Sequence, residues 1–205
     1  SDTLETGKSI TLGLNYKNEK KNDLDQINNY FELKLATVLR DKEEKFIPNK
    51  STIHKKNSNL FGSITNKFSN NLDLGYNFSL DNDYSTFEYN DLNATLSINN
   101  FVTKFNFIEE HGETGDTNVM ASSFEYNIDK KNSFKFQTRR NRKLNLTEYY
   151  DLVYEYKNDC LTAGIKYKKS YYADGDLQPT ENLLFTISLF PLTTYEYEAN
   201  DILDQ

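Results

Sequence analysis

The sequence predicts an all-β fold, an antiparallel up-and-down transmembrane β-barrel of which this chain supplies about eleven strands as a curved open sheet. Three observations lead to this prediction. Apolar residues recur at every second position, the links between these runs alternate between short and long, and tyrosines collect near the ends of the runs. An odd strand count fits a fragment better than a complete bacterial barrel, which has an even number.

The alternation places every second side chain on one face of a strand. It is clearest in residues 72–80, where Leu72, Leu74, Tyr76 and Phe78 alternate with small or polar residues. Many runs approach the roughly 9 to 11 residues that a tilted strand needs to cross a bilayer. The predicted strands cover residues 10–16, 31–36, 60–68, 72–80, 87–98, 101–108, 120–128, 134–138, 146–156, 161–167 and 183–189.

The links alternate in length, as they do in outer-membrane barrels with short periplasmic turns and longer external loops. The link at residues 18–27 breaks the rule, because it is long although it lies on the short-turn side. The short links are residues 69–71, 99–100, 129–132 and 158–159, and the long polar ones are residues 40–59, 109–118, 139–145 and 170–182.

Alternation by itself does not distinguish a membrane barrel from a soluble sandwich, which buries its apolar face. The apolar face is almost free of charge, and tyrosine rings suit the headgroup layer, so we expect Leu12, Leu33, Leu74 and Ile165 to face hydrocarbon. Ordinary cross-strand aromatic pairing is the alternative for the tyrosines. Those expected at the periplasmic rim are Tyr16, Tyr126, Tyr154 and Tyr156, and those at the outer rim are Tyr84, Tyr89, Tyr149, Tyr150 and Tyr171.

Composition excludes several classes of protein. No run in the 205 residues reaches the roughly 18 to 20 apolar positions of a spanning helix. The 15 Tyr and 14 Phe argue against disorder, and a net charge of −7 without a basic face argues against nucleic acid. A single cysteine forms no internal disulfide and has no metal-ligand spacing around it. Serine-hydrolase, zinc-protease and phosphate-loop motifs are absent, so we expect neither an enzyme nor a cofactor or metal.

Residues 150–167, which read YDLVYEYKNDCLTAGIKY, resemble the C-terminal end of the LptD family of lipopolysaccharide-assembly proteins. Residues 2–9, 38–41 and 185–189 are also similar to that family. The likeness covers nearly the whole chain, and the tyrosine-rich run that ends in Asn-Asp-Cys is its specific part.

The resemblance implies a large outer-membrane barrel, preceded by a periplasmic jellyroll domain, that inserts lipopolysaccharide into the outer leaflet. Residues 1–192 would then be the C-terminal half of the barrel, and residues 193–205 a periplasmic tail. The implied partners are lipopolysaccharide, an LptE-like lipoprotein plug, outer-membrane lipid, and a periplasmic LptA-like bridge that contacts the missing N-terminal domain. The implied location is the cell outer membrane.

The resemblance also assigns roles to particular residues. Cys160 would form a disulfide with the N-terminal domain, and the alternative is an ordinary small residue at a strand start. The last strand would form one side of a lateral seam through Leu183, Phe185, Ile187, Leu189 and Pro191. Pro191 has no amide hydrogen and would weaken strand pairing, or it simply ends the strand.

Six basic residues are expected on the polar, lumen-facing side of the strands, where each could bind phosphate: Lys34, Lys104, Lys135, Arg139, Lys166 and Lys168. The alternative is ion pairing with Glu32, Asp151 and Glu155. A further basic cluster lies at residues 139–143. An acidic loop at residues 109–116, which contains His111, is either a divalent-cation site or a solvated loop.

Three other functions remain open at this point. A porin or receptor would carry a constriction loop or a plug, a barrel hydrolase would use His111, and an all-β adhesin would be soluble without detergent.

Overall fold

The computed structural model describes residues 7–22, 27–68, 71–172, 178–189 and 193–199. These residues form twelve strands whose order in the sheet is their order in the chain, which confirms the predicted all-β, up-and-down antiparallel fold. No helix of the described segments is long and apolar enough to cross a bilayer. The strands are β1 Ser9–Lys21, β2 Ile27–Arg40, β3 Leu60–Phe68, β4 Leu72–Leu80, β5 Phe87–Ile98, β6 Phe101–Glu110, β7 Asn118–Asn127, β8 Asn132–Asn141, β9 Leu146–Lys157, β10 Leu161–Ser170, β11 Thr180–Leu189 and β12 Thr193–Glu198.

The chain divides into two compact units. The first consists of Ser1–Thr95 and Asn106–Asn118, and the second of Leu96–Phe105 and Val119–Gln205.

The first unit has one apolar and one polar face. On the apolar face, Leu14 lies opposite Leu35, which lies opposite Gly62, which in turn lies opposite Phe78. The neighbouring row, one residue further along each strand, places Asn15, Lys34, Ser63 and Asn77 in register on the other face. The sequence alternation is therefore a true separation of faces, because antiparallel register keeps like residues side by side.

The second unit repeats this separation. On its apolar face, one residue from each of β8 to β11 lies in register with the next: Phe136, Leu152, Tyr167 and Leu183. The polar row on the other face consists of Gln137, Asp151, Lys168 and Asn182.

The apolar faces are left exposed. Leu12 and Leu14 are 49% and 56% exposed, and Phe124 and Ile165 are 41% and 43% exposed. Among the described residues, Ile47, Val119 and Ala199 are the buried hydrophobic ones, and they are too few and too scattered to form a core for strands of this length. Leu12 and Ile165 therefore do not pack in an apolar interior.

Several strands differ from the predicted ranges by a few residues, and two differences change how strands are connected. The alternation of apolar residues stops at Tyr16, yet β1 and β2 stay paired as far as Lys21, which lies opposite Ile27 after a register shift. Pairing continues there through polar residues, since the backbone makes the ladder whatever the side chains are. The link expected at residues 18–27 is therefore short, and most of it, residues 23–26, lies outside the described residues.

The second difference concerns the expected tail. Residues 193–198 form β12, which pairs with β11 from Leu184 to Leu189. This strand was missed because it is short and follows a proline, although its Thr-Thr-Tyr-Glu-Tyr-Glu sequence alternates.

Candidate functional site

The link between β2 and β3, residues 41–59, is a folded loop. The Arg40 Nε donates to the Ile53 carbonyl at 2.6 Å, and the Glu44 amide donates to the His54 carbonyl at 2.9 Å. A short 3-10 helix, Asn49–Ser51, lies in the middle of the loop. The loop buries the side chains of Glu44, Ile47 and Thr52, so it has its own packed interior.

A chain of hydrogen bonds connects the end of this loop to the neighbouring strands. Asn59 is fully buried, and its Nδ2 donates to Ser79 Oγ at 3.0 Å and to Glu88 Oε2 at 2.6 Å. The Glu88 carbonyl accepts a hydrogen bond from Thr114 Oγ1 at 2.6 Å. Thr114 belongs to the loop between β6 and β7, so Glu88 binds two loops at once.

Ion pairs hold the same two loops together. Lys50 Nζ lies 3.4 Å from Glu110 Oε1, and Lys55 Nζ lies 3.0 Å from Glu113 Oε2. Glu109 accepts from Asn118 Nδ2 at 2.7 Å. The carboxylates of the acidic loop are thus partners of the 41–59 loop and of β7.

His111 lies in the same acidic loop, with its Nε2 at 3.4 Å from Glu109 Oε1. No group of three or more His, Cys, Asp or Glu side chains within the described ranges could hold a metal ion. The acidic loop therefore serves in this structure as a partner for neighbouring side chains.

All six predicted basic residues lie on a polar face. Lys34 does so in the first unit, opposite Asn15 and Ser63. The other five lie in the second unit. Lys104 lies three residues after Phe101, whose ring packs on the apolar face, so the Lys104 side chain lies on the opposite, polar face. The strand registers put the remaining four on the polar face as well: Lys135, Arg139, Lys166 and Lys168.

Five of these six basic residues contact a carboxylate or an aromatic ring. Lys34 lies 3.1 Å from Glu32 and Lys166 lies 3.0 Å from Asp151, as the pairing alternative predicts. The sequence did not indicate the partners of Lys135, Arg139 and Lys168, which lie on neighbouring strands. They are Glu148 at 2.9 Å from Arg139, Glu125 at 3.9 Å from Lys135, and the Tyr149 ring at 5.6 Å from the Lys168 Nζ.

Cys160 lies exposed in the turn between β9 and β10. Its amide donates to Asn158 Oδ1 at 3.0 Å, which fixes the turn. Cys160 is one of the residues that line an open cavity of about 520 Å³, together with Leu161, Ser188 and Thr194.

The expected seam residues lie inside the sheet. Leu183, Phe185, Ile187 and Leu189 belong to β11, which pairs with β10 on one side and with β12 on the other. The expectation that residues 183–191 form the last strand is therefore corrected, since β12 ends the strand order. Pro191 lies outside the described residues.

The tyrosines divide between exposed and half-buried positions. Of the first predicted rim, Tyr16, Tyr126 and Tyr154 are exposed and Tyr156 is half-buried. Of the other rim, Tyr84 and Tyr150 are exposed, and the rest are half-buried: Tyr89, Tyr149 and Tyr171.

Sequence reasoning missed the contacts of the 41–59 loop. The two partners in each of these contacts are tens of positions apart in the sequence, and no spacing rule connects them. The contacts are made by Lys50, Lys55, Asn59 and Glu88. The buried Asn59 had one indirect signal, namely that it immediately precedes a predicted strand.

No protein-family model matches this sequence, and no curated protein matches it. Similar solved structures include two mutants of the Rh. blastica porin, each 10% identical, covering 93% of this chain and 85% of the porin chain, with a TM-score of 0.49. A third, described as "Asymmetric conductivity of engineered proteins", is 12% identical over 93% of this chain and 89% of that chain, with a TM-score of 0.39. These likenesses are too distant to identify a family.

Proposed function

We propose that this chain is part of an outer-membrane β-barrel whose strands cross the bilayer with their apolar faces toward hydrocarbon. The observation that carries the proposal is the exposure of large apolar side chains along one face of both units, such as Leu14 and Ile165. In water such a surface would drive aggregation, whereas in lipid it needs no partner. All backbone groups of a membrane sheet must pair, and β2 to β11 each have two neighbouring strands.

Strand and loop lengths support the same proposal. β2 to β11 have 9 to 14 residues, close to the roughly 9 to 11 residues that a tilted strand needs to cross the hydrocarbon. Longer links such as residues 41–59 and 111–117 lie at one edge of the strands, and short ones such as residues 99–100 at the other. Outer-membrane barrels have this asymmetry.

The finer proposal is that this barrel inserts lipopolysaccharide into the outer leaflet. It rests on the resemblance of residues 150–167 to the LptD family and on the basic side chains of the polar faces. Lys166 and Lys168 would bind phosphates of the sugar head as it passes, in exchange for their present partners. The barrel then acts as a conduit without bond-breaking chemistry, with an LptE-like lipoprotein inside and an LptA-like periplasmic bridge delivering substrate.

Photocrosslinking tests this finer proposal directly. A photoreactive phenylalanine analogue replaces Lys166 or, separately, Gln137 in the protein produced in cells, and lipopolysaccharide adducts are detected by immunoblot after irradiation. Both positions lie on a polar face, where lipopolysaccharide in transit would pass but bulk membrane lipid would not. Adducts at both are expected, and their absence at both, with the protein inserted in the outer membrane, would refute it.

The same proposal gives Cys160 a role. Its exposed thiol beside an open cavity would bond a cysteine of the N-terminal domain, a linkage that an oxidising periplasm allows. Non-reducing electrophoresis of the natural protein should show a shift on reduction that Cys160→Ser abolishes.

A second candidate is a channel for small hydrophilic solutes. The folded 41–59 loop favours it, because this loop is fixed to its neighbours by Lys50, Lys55 and Asn59 as a constriction element would have to be. A channel would give stepwise ion conductance in planar bilayers and no lipopolysaccharide adduct at Lys166. Conductance would rise when Lys50→Ala and Lys55→Ala release the loop.

A further inference from the structure

Five aromatic rings form a row across the apolar face of the second unit, which we call the aromatic ladder: Phe101, Phe124, Phe136, Tyr150 and Tyr171. The first four stack with centroids 6.1 to 6.2 Å apart and their planes inclined by only 22° to 26°. The last step, from Tyr150 to Tyr171, is 6.1 Å and edge-on. The ladder includes exposed rings, with Phe124 and Tyr150 among the exposed large side chains.

The ladder runs diagonally from the short-turn edge to the long-loop edge. Phe101 is the first residue of β6, next to the turn at residues 99–100, and Tyr171 follows the last residue of β10. Phe136 lies near the middle of β8. Four steps of about 6 Å give a path of about 24 Å, which is oblique because it also crosses four strand spacings of about 4.8 Å. The ladder is thus long enough to lie along an acyl chain of either leaflet.

Basic side chains lie on the same face near the end of the aromatic ladder at the long-loop edge. Arg140 follows Phe136 by four residues on β8, and the register with β7 places it opposite Met120, in line with Phe124 on the apolar face and about 13 Å further along the strand. Lys169 lies directly opposite Tyr150 and its Nζ is 5.7 Å from the centroid of the Tyr171 ring. Two strand spacings separate β8 from β10, and Arg140 lies two residues beyond the level of Lys169, so the Cα atoms of these residues are about 12 Å apart.

These cations already have protein partners. Arg140 donates to Asn145 Oδ1, and Lys169 pairs with Glu181. The adjacent loop adds Arg142 and Lys143 and carries no acid between Arg139 and Asn145. Among the described residues of this rim, Arg139, Arg140, Arg142, Lys143 and Lys169 outnumber Glu148 and Glu181, so the described part of the rim is net positive.

We propose that this face binds a membrane lipid whose phosphate headgroup has a net negative charge, its acyl chain lying on the rings of the aromatic ladder nearest the long-loop edge and its phosphate between Arg140 and Lys169. The inference rests on the proposed membrane location and adds a specific lipid site to it. An acyl chain already in hydrocarbon gains no hydrophobic energy here, so selectivity comes from packing on rigid rings and from the charge of the rim. Lipids with neutral headgroups bind the ladder no better than they bind the rest of the apolar surface.

A single-tryptophan reporter tests this proposal, because the natural sequence contains no tryptophan. Phe136→Trp places the reporter on the ladder, and Leu14→Trp places a control at mid-strand on the apolar face of the other unit. The full chain is reconstituted in phosphatidylcholine vesicles that contain a small fraction of lipid brominated on its acyl chains. The brominated lipid is either phosphatidylglycerol or phosphatidylcholine, and tryptophan quenching measures how often each contacts the reporter.

Brominated phosphatidylglycerol should occupy the ladder about fivefold more often than its mole fraction predicts, since one rim cation near an anionic lipid contributes about that factor. The Leu14→Trp control should show no preference. Adding Arg140→Gln and Arg142→Gln to the reporter should bring the preference close to one. Tyr150→Leu, which keeps an apolar side chain but interrupts the ladder, should reduce it.

Equal quenching by both lipids at both reporters overturns the lipid site and leaves the membrane location intact. If neither lipid quenches either reporter, the apolar faces do not contact hydrocarbon, and both the site and the proposed function are wrong. A preference that survives the arginine substitutions refutes the role of the basic rim.

Discussion

A lysine placed on the apolar face of β10 tests the orientation of the sheet most directly. Ile165 is 43% exposed and lies opposite Tyr154 and Phe185 in the middle of its strand. If this face contacts hydrocarbon, Ile165→Lys puts an ammonium group near the midplane of the bilayer. A lysine there costs about 2 to 4 kcal/mol in an outer-membrane barrel.

The loss of the isoleucine adds to this cost. Fully burying an isoleucine side chain stabilises the folded protein by about 1.5 to 3 kcal/mol. The 43% of Ile165 that is not covered by protein would contact lipid, and losing that contact costs about 1 kcal/mol. The expected total is about 3 to 5 kcal/mol less stability. If the face contacted water instead, the same substitution of a partly exposed residue would change stability by about 0.5 kcal/mol or less from the charge itself.

Gln137→Lys is the matched control. Gln137 is also near mid-strand, but it lies on the polar face, opposite Asp151. The added charge should therefore be neutral or slightly stabilising. Urea unfolding of the chain in phosphatidylcholine vesicles, followed by tyrosine fluorescence and far-ultraviolet circular dichroism, measures all three proteins. An Ile165→Lys protein as stable as the unsubstituted chain, or equal losses in both variants, would refute the orientation.

Three further predictions concern single sites. Gly62→Ala should cost about 1 to 3 kcal/mol in the same unfolding assay, because the new Cβ would overlap a phenyl ring, whereas the control Gly75→Ala has ordinary contacts and should cost less. Asn59→Ala should cost about 1 to 3 kcal/mol by leaving buried acceptors unpaired, and should speed trypsin cleavage of the loop that precedes it; unchanged cleavage would contradict this. Hydrogen bonds, first from the backbone amide of Lys131, hold the pKa of Asp129 below 3.8, so this turn is stabilised at neutral pH and loses that contribution as the pH falls through the lowered value. Amide exchange in the turn should then accelerate in acid, and Asp129→Asn should remove the pH dependence.

The strands that could be predicted from sequence are those in which side-chain chemistry alternates without interruption. Residues 72–80 were predicted with the observed ends, because Leu72 to Leu80 alternate throughout and turn residues flank them. β1 was predicted too short, because Lys17 to Lys21 carry no apolar signal although their backbone still pairs. Apolar periodicity indicates which face of a strand contacts lipid or core. It gives no information where the strand continues beyond the periodic residues.

The polar-face placement of the six basic residues also followed from alternation alone, since parity decides the face. Their partners did not follow, because Glu125 and Glu148 approach through strand register and hairpin geometry. The 41–59 loop was beyond prediction for a related reason. Its ion pairs join residues that are far apart in the chain, and only the order of the strands brings Lys50 near Glu110.

The outermost strand also affects how two copies of the protein would meet. β12 carries Glu196 and Glu198 on one side and the exposed rings of Tyr195 and Tyr197 on the other. If two copies approached edge to edge, acidic side chains of each would stand beside those of its neighbour, and their mutual repulsion would oppose a shared ladder. β12 is the end strand among the described residues, so we expect its glutamates to oppose pairing with a second copy of this edge and to favour a partner strand rich in lysine or arginine.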